Sequence, residues 1–345
     1  MKAKIINKIQ QSANRFIPFD QFMEMALYDS EAGYYTKSQT KIGKEGDFYT
    51  SVSASPIFAE IIAKWIIEQV KSGIPPYIVE LGGGTGELAQ TIMQKLQNDL
   101  QHFHYVIVES SPFHQSLIRT KLPTVEIIPS LDQLPEFAGI VISNEFFDAL
   151  PVKAVIFQNG QWHELGVTVE NNDLQETAIL ADQSLIEMIK RLGITAPHNH
   201  QRLELPLVMN QVYNTLCHKI GHGVILTIDY GMKNESLLLP ERKQGSIRGF
   251  YQHQLIDNIY QNPGQIDITS NVLFDELIRI GEAVHFETMS FTSQRQFLLD
   301  QNIFSLLEEH RDTDPFSHAS KRNRAIMQFI IGDFSQYFHT LIQRK

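Results

Sequence analysis

An acid followed by three glycines is the feature of this chain that most clearly suggests chemistry. A predicted apolar strand ends in Glu80 and passes at once into a loop that contains Gly82, Gly84 and Gly86. Glycine lets backbone N–H groups approach a ligand closely because no Cβ stands in the way. The apolar spacing after the loop predicts a helix over 87–97, and the positive end of its dipole would face the same ligand. The loop therefore predicts a site for a small-molecule cofactor.

Two cofactors fit such a loop, NAD and S-adenosyl-L-methionine (SAM). The run from Gly84 to Ala89 matches the G-x-G-x-x-A form of the dinucleotide fingerprint. The next predicted strand ends in Glu109, which suits the ribose hydroxyls of either cofactor. Glu80 favours SAM, because an acid that precedes the glycines can meet the cationic amino-acid end of this cofactor. An NAD-dependent oxidoreductase remains the alternative.

A second group of polar residues follows a later strand, predicted over 139–143. It contains Asn144, Glu145 and Asp148. Because the carboxyl ends of parallel strands meet at one edge of a sheet, we expect these residues near the cofactor loop. Two carboxylates could attract a guanidinium or an amine substrate; they could grip a guanidinium through paired charged hydrogen bonds and align one nitrogen for methyl transfer. The alternative is that Asn144 and Asp148 only cap a turn.

Two further segments carry candidate contacts. A later apolar run predicts a strand that ends in Asp229, which is a candidate for substrate binding. The stretch 28–60 combines glycines, aromatic residues and polar residues, and within it we expect Asp47 and Thr50 to contact the cofactor. The alternative is an irregular connection that is anchored by its aromatic side chains.

The composition excludes several classes of function. The chain has 345 residues and a formal net charge of −10, which argues against a nonspecific nucleic-acid binder. Its single cysteine, Cys217, excludes an intrachain disulfide and a thiolate metal cage, and we expect no metal cofactor. No apolar stretch approaches the length of a membrane span, so we expect no membrane insertion. A basic protein segment is the more natural partner, and the oligomeric state stays open.

From residue 75 onward, predicted strands and helices alternate, which is typical of an α/β fold with a mostly parallel sheet and helices on both faces. We expect strands over 77–81, 105–109, 125–128 and 139–143, and closing strands over 283–290 and 325–331. The predicted organisation is an N-terminal helical cap over 1–74, a first part of the core over 75–150, an α+β insertion over 151–222, and the rest of the core over 223–345 with an irregular excursion at 232–268.

The first nineteen residues carry basic side chains and no acid on an amphipathic pattern, as an organellar presequence does. We interpret them instead as the first helix of the domain. Pro18 ends this helix, and a second apolar periodicity follows it directly.

Taken in order, these segments resemble the MidA-like family of class I SAM-dependent methyltransferases. The motifs that carry the resemblance are Gly33-Tyr-Tyr35, Gly46-Asp-Phe-Tyr-Thr-Ser51, Glu80-Leu-Gly-Gly-Gly-Thr-Gly86, Asn144-Glu-Phe-Phe-Asp-Ala-Leu-Pro151, Ile228-Asp-Tyr-Gly231 and Pro263-Gly-Gln-Ile-Asp-Ile-Thr269. The resemblance implies a Rossmann-like class I methyltransferase sheet. It also implies a SAM site at the glycine loop, Glu109 and the Gly46 loop, with Asn144, Glu145 and Asp148 close to the methyl acceptor.

The mitochondrial members of this family are protein arginine methyltransferases that act in assembly of respiratory complex I. The resemblance therefore implies a protein substrate, with a respiratory-complex subunit as one candidate. It implies the cytoplasm as the location in a bacterium and the mitochondrial matrix in a eukaryote. A SAM-binding assembly factor without catalysis could contain the same pocket residues and remains an alternative.

Some positions depart from the family pattern. Gly83 stands where the family usually has proline, which we expect to loosen the loop. Asn271 and Leu273 stand where we associate histidine and aspartate with the family, which removes two polar groups from a region expected to face the acceptor. His253 sits where the family has a histidine, and both substrate orientation and simple packing are open interpretations of it.

Overall fold

The computed structural model describes residues 1–37, 56–195, 197–252, 254–309, 314–332 and 337–345. Gly46, Asp47, Thr50 and His253 lie outside the described residues, so the roles assigned to them stay predictions.

Helices and strands alternate along much of the chain. The helices are α1 (Lys2–Gln11), α2 (Phe19–Tyr28), α3 (Pro56–Lys71), α4 (Glu87–Asp99), α5 (Pro112–Lys121), α6 (Gln183–Arg191), α7 (Leu207–Lys219), α8 (Phe274–Ala283), α9 (Gln294–Asp300) and α10 (His318–Ile331). The strands are β1 (Ile17–Pro18), β2 (Tyr77–Leu81), β3 (His104–Val108), β4 (Glu126–Ile128), β5 (Phe137–Asn144), β6 (Lys153–Gln158), β7 (Gln161–Glu170), β8 (Asp173–Leu180), β9 (Gln201–Leu205), β10 (Ile220–Met232), β11 (Arg248–Tyr251), β12 (Gln254–Ile256), β13 (Asp267–Thr269), β14 (Val272–Leu273), β15 (Glu287–Ser293) and β16 (Phe338–Arg344).

The chain forms two compact units, each assembled from separate segments. Within the described residues, the first unit contains 1–37, Phe147–Asn214 and Gly231–Arg279. The second unit contains 56–146, Thr215–Tyr230 and the described part of Ile280–Lys345. The division into four consecutive stretches that we drew from the sequence stays a prediction.

The second unit contains seven strands of an eight-stranded sheet, in the order β15-β16-β10-β5-β2-β3-β4. The strands from β10 to β4 are mutually parallel, and β16 runs antiparallel to both of its neighbours. This arrangement confirms the predicted α/β fold. The carboxyl ends of β2, β3, β5 and β10 therefore lie along one edge, which is where ligands bind in sheets of this type.

The inner strands of this sheet are apolar almost throughout, because both of their faces are covered. Ile78, Ile107 and Ile140 are fully buried on one face and pack in the same core as α3 and α4. A sheet with a continuous apolar core is a rigid support for the loops that follow its strands.

One predicted strand is wrong. The run 325–331 belongs to helix α10, and the closing strand is β16. Ser317 caps α10 by accepting a hydrogen bond from Ser320 N, while Ile326 and Phe329 are buried at a helical spacing. A short apolar run does not distinguish a strand from a buried helix by its periodicity, and the cap was the signal that we missed.

The first unit combines the N-terminal helices with the predicted α+β insertion. Strand β1 pairs with β7 at Ile17 and Val167, so the N-terminal segment joins the sheet of this unit. The strand order is β1-β7-β6-β9, and β8 also pairs with β7. A smaller sheet has the order β12-β11-β13. Apolar residues of α1, α2, β6, β7 and β13 form one core in this unit.

Candidate active site

The glycine loop after β2 adopts a backbone shape that only glycine takes easily. Gly82, Gly84 and Gly86 have φ angles of 71°, 51° and 77°, in the left-handed region. Gly82 N still donates to Val108 O of β3 at 2.9 Å, and Gly86 N donates to Gly83 O at 2.8 Å, which closes a tight turn. Helix α4 begins directly after Gly86, as predicted. The loop presents to a ligand a helix N-terminus and a backbone in which four of five residues are glycine.

Gly83 lies directly against side chains of the neighbouring strand and helix. A Cβ added to Gly83 would run into the side chain of Ile107 and lie 3.1 Å from Ile118 Cδ1. The space that a side chain would need at this position is already filled by these two residues. Branched apolar side chains thus pack directly against Gly83, and our expectation that this residue loosens the loop stays a prediction.

Glu109 is fixed between the glycine loop and the next helix. Its Oε2 accepts a hydrogen bond from Gly84 N at 3.0 Å, and its Oε1 accepts one from Ser111 N at 2.8 Å. Gln115 Nε2 donates to the Glu109 carbonyl oxygen at 2.7 Å. A carboxylate can accept about four hydrogen bonds, so two backbone donors leave capacity for ribose hydroxyls. The Glu109 carboxylate is thus held in a fixed position, and its contact with the ribose stays a prediction.

Glu80 is buried beneath the loop, with 2% of its surface exposed. Its Oε2 accepts a hydrogen bond from Tyr105 Oη at 2.6 Å. Burial raises the pKa of the Glu80 carboxyl to about 8, the hydrogen bond from Tyr105 opposes this rise, and the charge of Glu109 adds to it. A cationic group that approached Glu80 would stabilise the ionised form. The predicted contact to the amino-acid end of SAM stays a prediction.

The buried carboxyl makes stability depend on pH in a direction that can be measured. The pKa of Glu80 is raised from 4.5 in the unfolded chain to about 8 in the fold. Its stabilising contribution is complete below pH 4.5 and is lost as the pH rises towards 8. We expect Glu80→Gln to remove roughly 3 kcal/mol of this pH dependence from the free energy of unfolding. Urea titrations of both proteins from pH 5 to about 8 measure it, and parallel curves would contradict the assignment.

The end of β5 leads into a strained turn. Glu145 has a φ of 52°, an uncommon value for a residue with a side chain. Its backbone N donates to Ile228 O of β10 at 3.0 Å, and Asn144 Nδ2 donates to its Oε1 at 3.2 Å. Such strain persists only where the surrounding structure enforces it, and it is most common at functional sites.

Asp229 holds the same turn in place. It is fully buried at the end of β10. Its Oδ2 accepts a hydrogen bond from Phe146 N at 3.2 Å, and its Oδ1 accepts one from Tyr230 N at 2.9 Å. These contacts position the backbone after Glu145, while the substrate-binding role that we predicted for Asp229 remains a prediction.

Phe146 connects the strained turn to the glycine loop. A Cβ added to Gly82 would lie 2.9 Å from Phe146 Cδ2, so the phenyl ring lies directly against the first glycine. The sequence placed the turn and the loop at one sheet edge, but it did not show that Phe146 joins them. Phe146 itself carried no signal in the sequence beyond its place in the motif.

Three motifs of the sequence meet inside the first unit. Tyr35 Oη donates to Asp267 Oδ1 at 2.7 Å, and Ser270 N donates to the backbone oxygen of Asp148 at 2.9 Å. Burial, followed by the negative charge of Asp267, raises the pKa of Tyr35 well above its usual value. Asp148 and Asp267 are both buried. We had not singled out Asp267 as a site residue, because its partner Tyr35 is distant in the sequence.

The part of the chain that the structure describes contains neither a candidate metal site nor a membrane-crossing helix. It contains no group of three or more histidine, cysteine or carboxylate side chains that could hold a metal ion. Within the same ranges, no helix has both the length and the apolar character needed to cross a membrane.

A family model of S-adenosyl-L-methionine-dependent methyltransferases matches residues 61–292 of the chain. This range spans the glycine loop, Glu109 and the strained turn. The chain belongs to this methyltransferase family. The resemblance to the MidA-like family is thereby confirmed.

Relatives of this methyltransferase include proteins that are named protein arginine methyltransferases. A protein arginine methyltransferase NDUFAF7 homolog of Drosophila melanogaster, described as mitochondrial, is 30% identical over 300 residues, which is 77% of this chain and 67% of that protein. The mitochondrial protein arginine methyltransferase NDUFAF7 of Mus musculus is 28% identical over 317 residues, which is 82% of this chain and 70% of that protein.

A crystal structure of a COG1565 superfamily member from Burkholderia thailandensis, bound to S-adenosylhomocysteine, is similar along the whole chain. The TM-score is 0.90 at 26% sequence identity, and the match covers 100% of this chain and 91% of the other. Together with the family match, this confirms SAM as the cofactor over the dinucleotide alternative. The chain is a SAM-dependent methyltransferase.

Proposed function

We propose that this methyltransferase transfers the methyl group to a side-chain nitrogen of arginine in a protein substrate. The observation that carries the proposal is the strained turn, which sets the carboxylate of Glu145 at the carboxyl end of β5 while Phe146 touches the cofactor loop. A guanidinium is recognised best by carboxylates, which pair with its planar fork of donors. Relatives at 24–30% identity that are named protein arginine methyltransferases support the same acceptor.

The cofactor residues fit SAM by their chemistry. Bound SAM supplies a methyl group on a positively charged sulfur. In our proposal Gly82, Gly84 and Gly86 provide the close backbone approach, Glu109 accepts from the ribose hydroxyls, and Glu80 faces the cationic amino-acid end. The predicted contacts of Gly46, Asp47 and Thr50 complete the proposed site.

The proposed work of the protein at the acceptor is alignment and removal of a proton. Guanidinium is protonated near neutral pH, so a proton must leave nitrogen as the new bond forms. We assign to Glu145 the role of accepting this proton. Its Oε1 accepts a hydrogen bond from Asn144 Nδ2, and its backbone N donates to Ile228 O. Asp148, three residues further along the chain, is the second candidate for gripping the guanidinium, with Asp229 and His253 as substrate-binding candidates.

The substrate protein and its compartment extend the proposal. The curated relatives are described as mitochondrial, and the family resemblance makes a respiratory-complex subunit the first substrate to test. We propose the mitochondrial matrix for a eukaryotic chain and the cytoplasm for a bacterial one.

Labelled SAM tests the proposed acceptor. The purified protein is incubated with methyl-labelled SAM and a lysate from a strain that lacks it, and labelled peptides are identified by mass spectrometry. We expect label on arginine. Label on lysine, histidine or a carboxylate would overturn the acceptor, and SAM binding without any incorporation would favour an assembly factor that does not catalyse methyl transfer.

A further inference from the structure

Tyr105 and Glu80 form a buried polar pair inside an otherwise apolar layer. Strands β2 and β3 are parallel, with Ile78 opposite Tyr105 and Glu80 opposite Ile107, so all four side chains share one face of the sheet. Tyr105 lies two residues closer to the amino end of the sheet than the residue opposite Glu80. The two side chains bridge this offset, and the Tyr105 hydroxyl donates to Glu80 Oε2 at 2.6 Å.

The bond from Tyr105 defines the orientation of the Glu80 carboxyl. Among the described residues it is the one hydrogen bond to the Glu80 side chain, and it engages Oε2. Both side chains are buried, with 4% of Tyr105 exposed. Because Tyr105 uses only one of the roughly four acceptor positions of the carboxylate, Glu80 keeps the capacity to accept from a cationic ligand.

The surroundings of Glu80 otherwise disfavour a negative charge. Glu109 is the other titratable group that acts on it, and its charge is repulsive. The helices α3 and α4 and strand β5 cover this face with apolar side chains. The charged residues Glu60 of α3 and Lys95 of α4 pair with each other at 3.6 Å, and Arg322 of α10 binds Glu60 at 2.8 Å. Tyr105 is thus the group that favours the ionised carboxyl in the absence of cofactor.

We propose that Tyr105 is a positioning residue for cofactor capture, which holds Glu80 in the orientation that receives the cationic amino-acid group of SAM. This role goes beyond the proposed acceptor, because it concerns binding of the cofactor and is independent of which nucleophile is methylated. In this proposal, which rests on the proposed contact of Glu80 with SAM, Tyr105 acts through Glu80.

The test is the affinity for SAM of Tyr105→Phe, measured by calorimetry between about pH 6 and pH 9. We expect the dissociation constant at neutral pH to rise about tenfold, the loss expected for one hydrogen bond to a charged group. The acidic limb of the affinity profile should move to higher pH, because Glu80 would hold its proton more tightly. The alkaline limb belongs to the amino group of the cofactor and should stay in place.

Two further comparisons make the result specific. Tyr77→Phe removes a hydroxyl from the same sheet, where the ring packs on Phe137 and His104, and should leave the profile unchanged. In a Glu80→Gln background, Tyr105→Phe should change the affinity less than about twofold. An unchanged profile in Tyr105→Phe, or the same tenfold loss in the Glu80→Gln background, would overturn the proposal.

If Tyr105→Phe does not fold, 3-fluorotyrosine at position 105 keeps the ring and donates a stronger hydrogen bond. The acidic limb should then move to lower pH, and a limb that stays in place or moves upward would overturn the proposal. Because every measurement is of binding, failure here is distinct from failure to find methylated arginine.

Discussion

Replacement of Glu145 by Gln is expected to lower the rate of methyl transfer by about 100-fold or more, while the affinity for SAM changes less than about twofold. The amide keeps the size of the side chain and can still accept from Asn144 Nδ2, as the carboxylate does. It cannot accept the proton that the guanidinium must lose. A loss in turnover without a loss in binding is therefore the signature of the assigned role.

Single-turnover rates with the peptide identified by the labelling experiment measure this effect directly. Glu136→Gln, an exposed carboxylate just before β5, is the matched control and should behave as the parent protein. Parent-like turnover in Glu145→Gln would remove Glu145 from the proposed chemistry. The rate should also recover as the pH rises if a water molecule can take over proton removal.

Replacement of Glu109 by Ala is expected to weaken SAM binding by about 100-fold or more. Two charged hydrogen bonds to ribose hydroxyls would be lost, at roughly 1.5 kcal/mol or more each. The anchor that Glu109 gives to Gly84 N and Ser111 N would be lost as well. Both effects reduce affinity, because the loop must be held in shape before it can bind.

Glu109→Gln separates the two effects. The amide oxygen can still accept from a backbone N–H but carries no charge, so we expect an intermediate loss of about tenfold. Glu126→Ala, on the neighbouring strand and beside His104, provides the control for a lost carboxylate on this side of the sheet. Calorimetric titration with SAM gives the dissociation constants of the three variants and of the parent. Equal affinities for Glu109→Ala and the parent would contradict the assignment of Glu109 to the ribose.

The sequence predicted best where the signal was local. The strand before the glycine loop, the start of α4 at Glu87 and the end of β5 at Asn144 all follow from apolar runs that are interrupted by glycine or polar residues. The same reasoning failed at 325–331, where an apolar run lies in a helix. Burial of both a strand and a helix selects the same residue types, so composition does not separate them.

Several side-chain contacts within each unit join residues that are far apart in the chain. Tyr35 and Asp267 are 232 positions apart, and Glu80 meets Tyr105 across two strands. A single sequence contains no information on which distant side chains will meet, because the pairing is set by strand register and packing. The types of residue at the cofactor edge could thus be predicted, whereas the positions of Tyr105 and Phe146 beside them could not.

The tight fit of Gly83 against Ile107 and Ile118 has a consequence for engineering and for the divergence of such loops. The proline that the family resemblance associates with this position would need the volume that these two branched side chains occupy. The substitution Gly83→Pro would therefore have to be accompanied by smaller residues at positions 107 or 118. Positions 83, 107 and 118 must therefore change together. If the glycine loop of a relative were transferred into this protein without the matching residues at 107 and 118, we would expect the loop to be distorted.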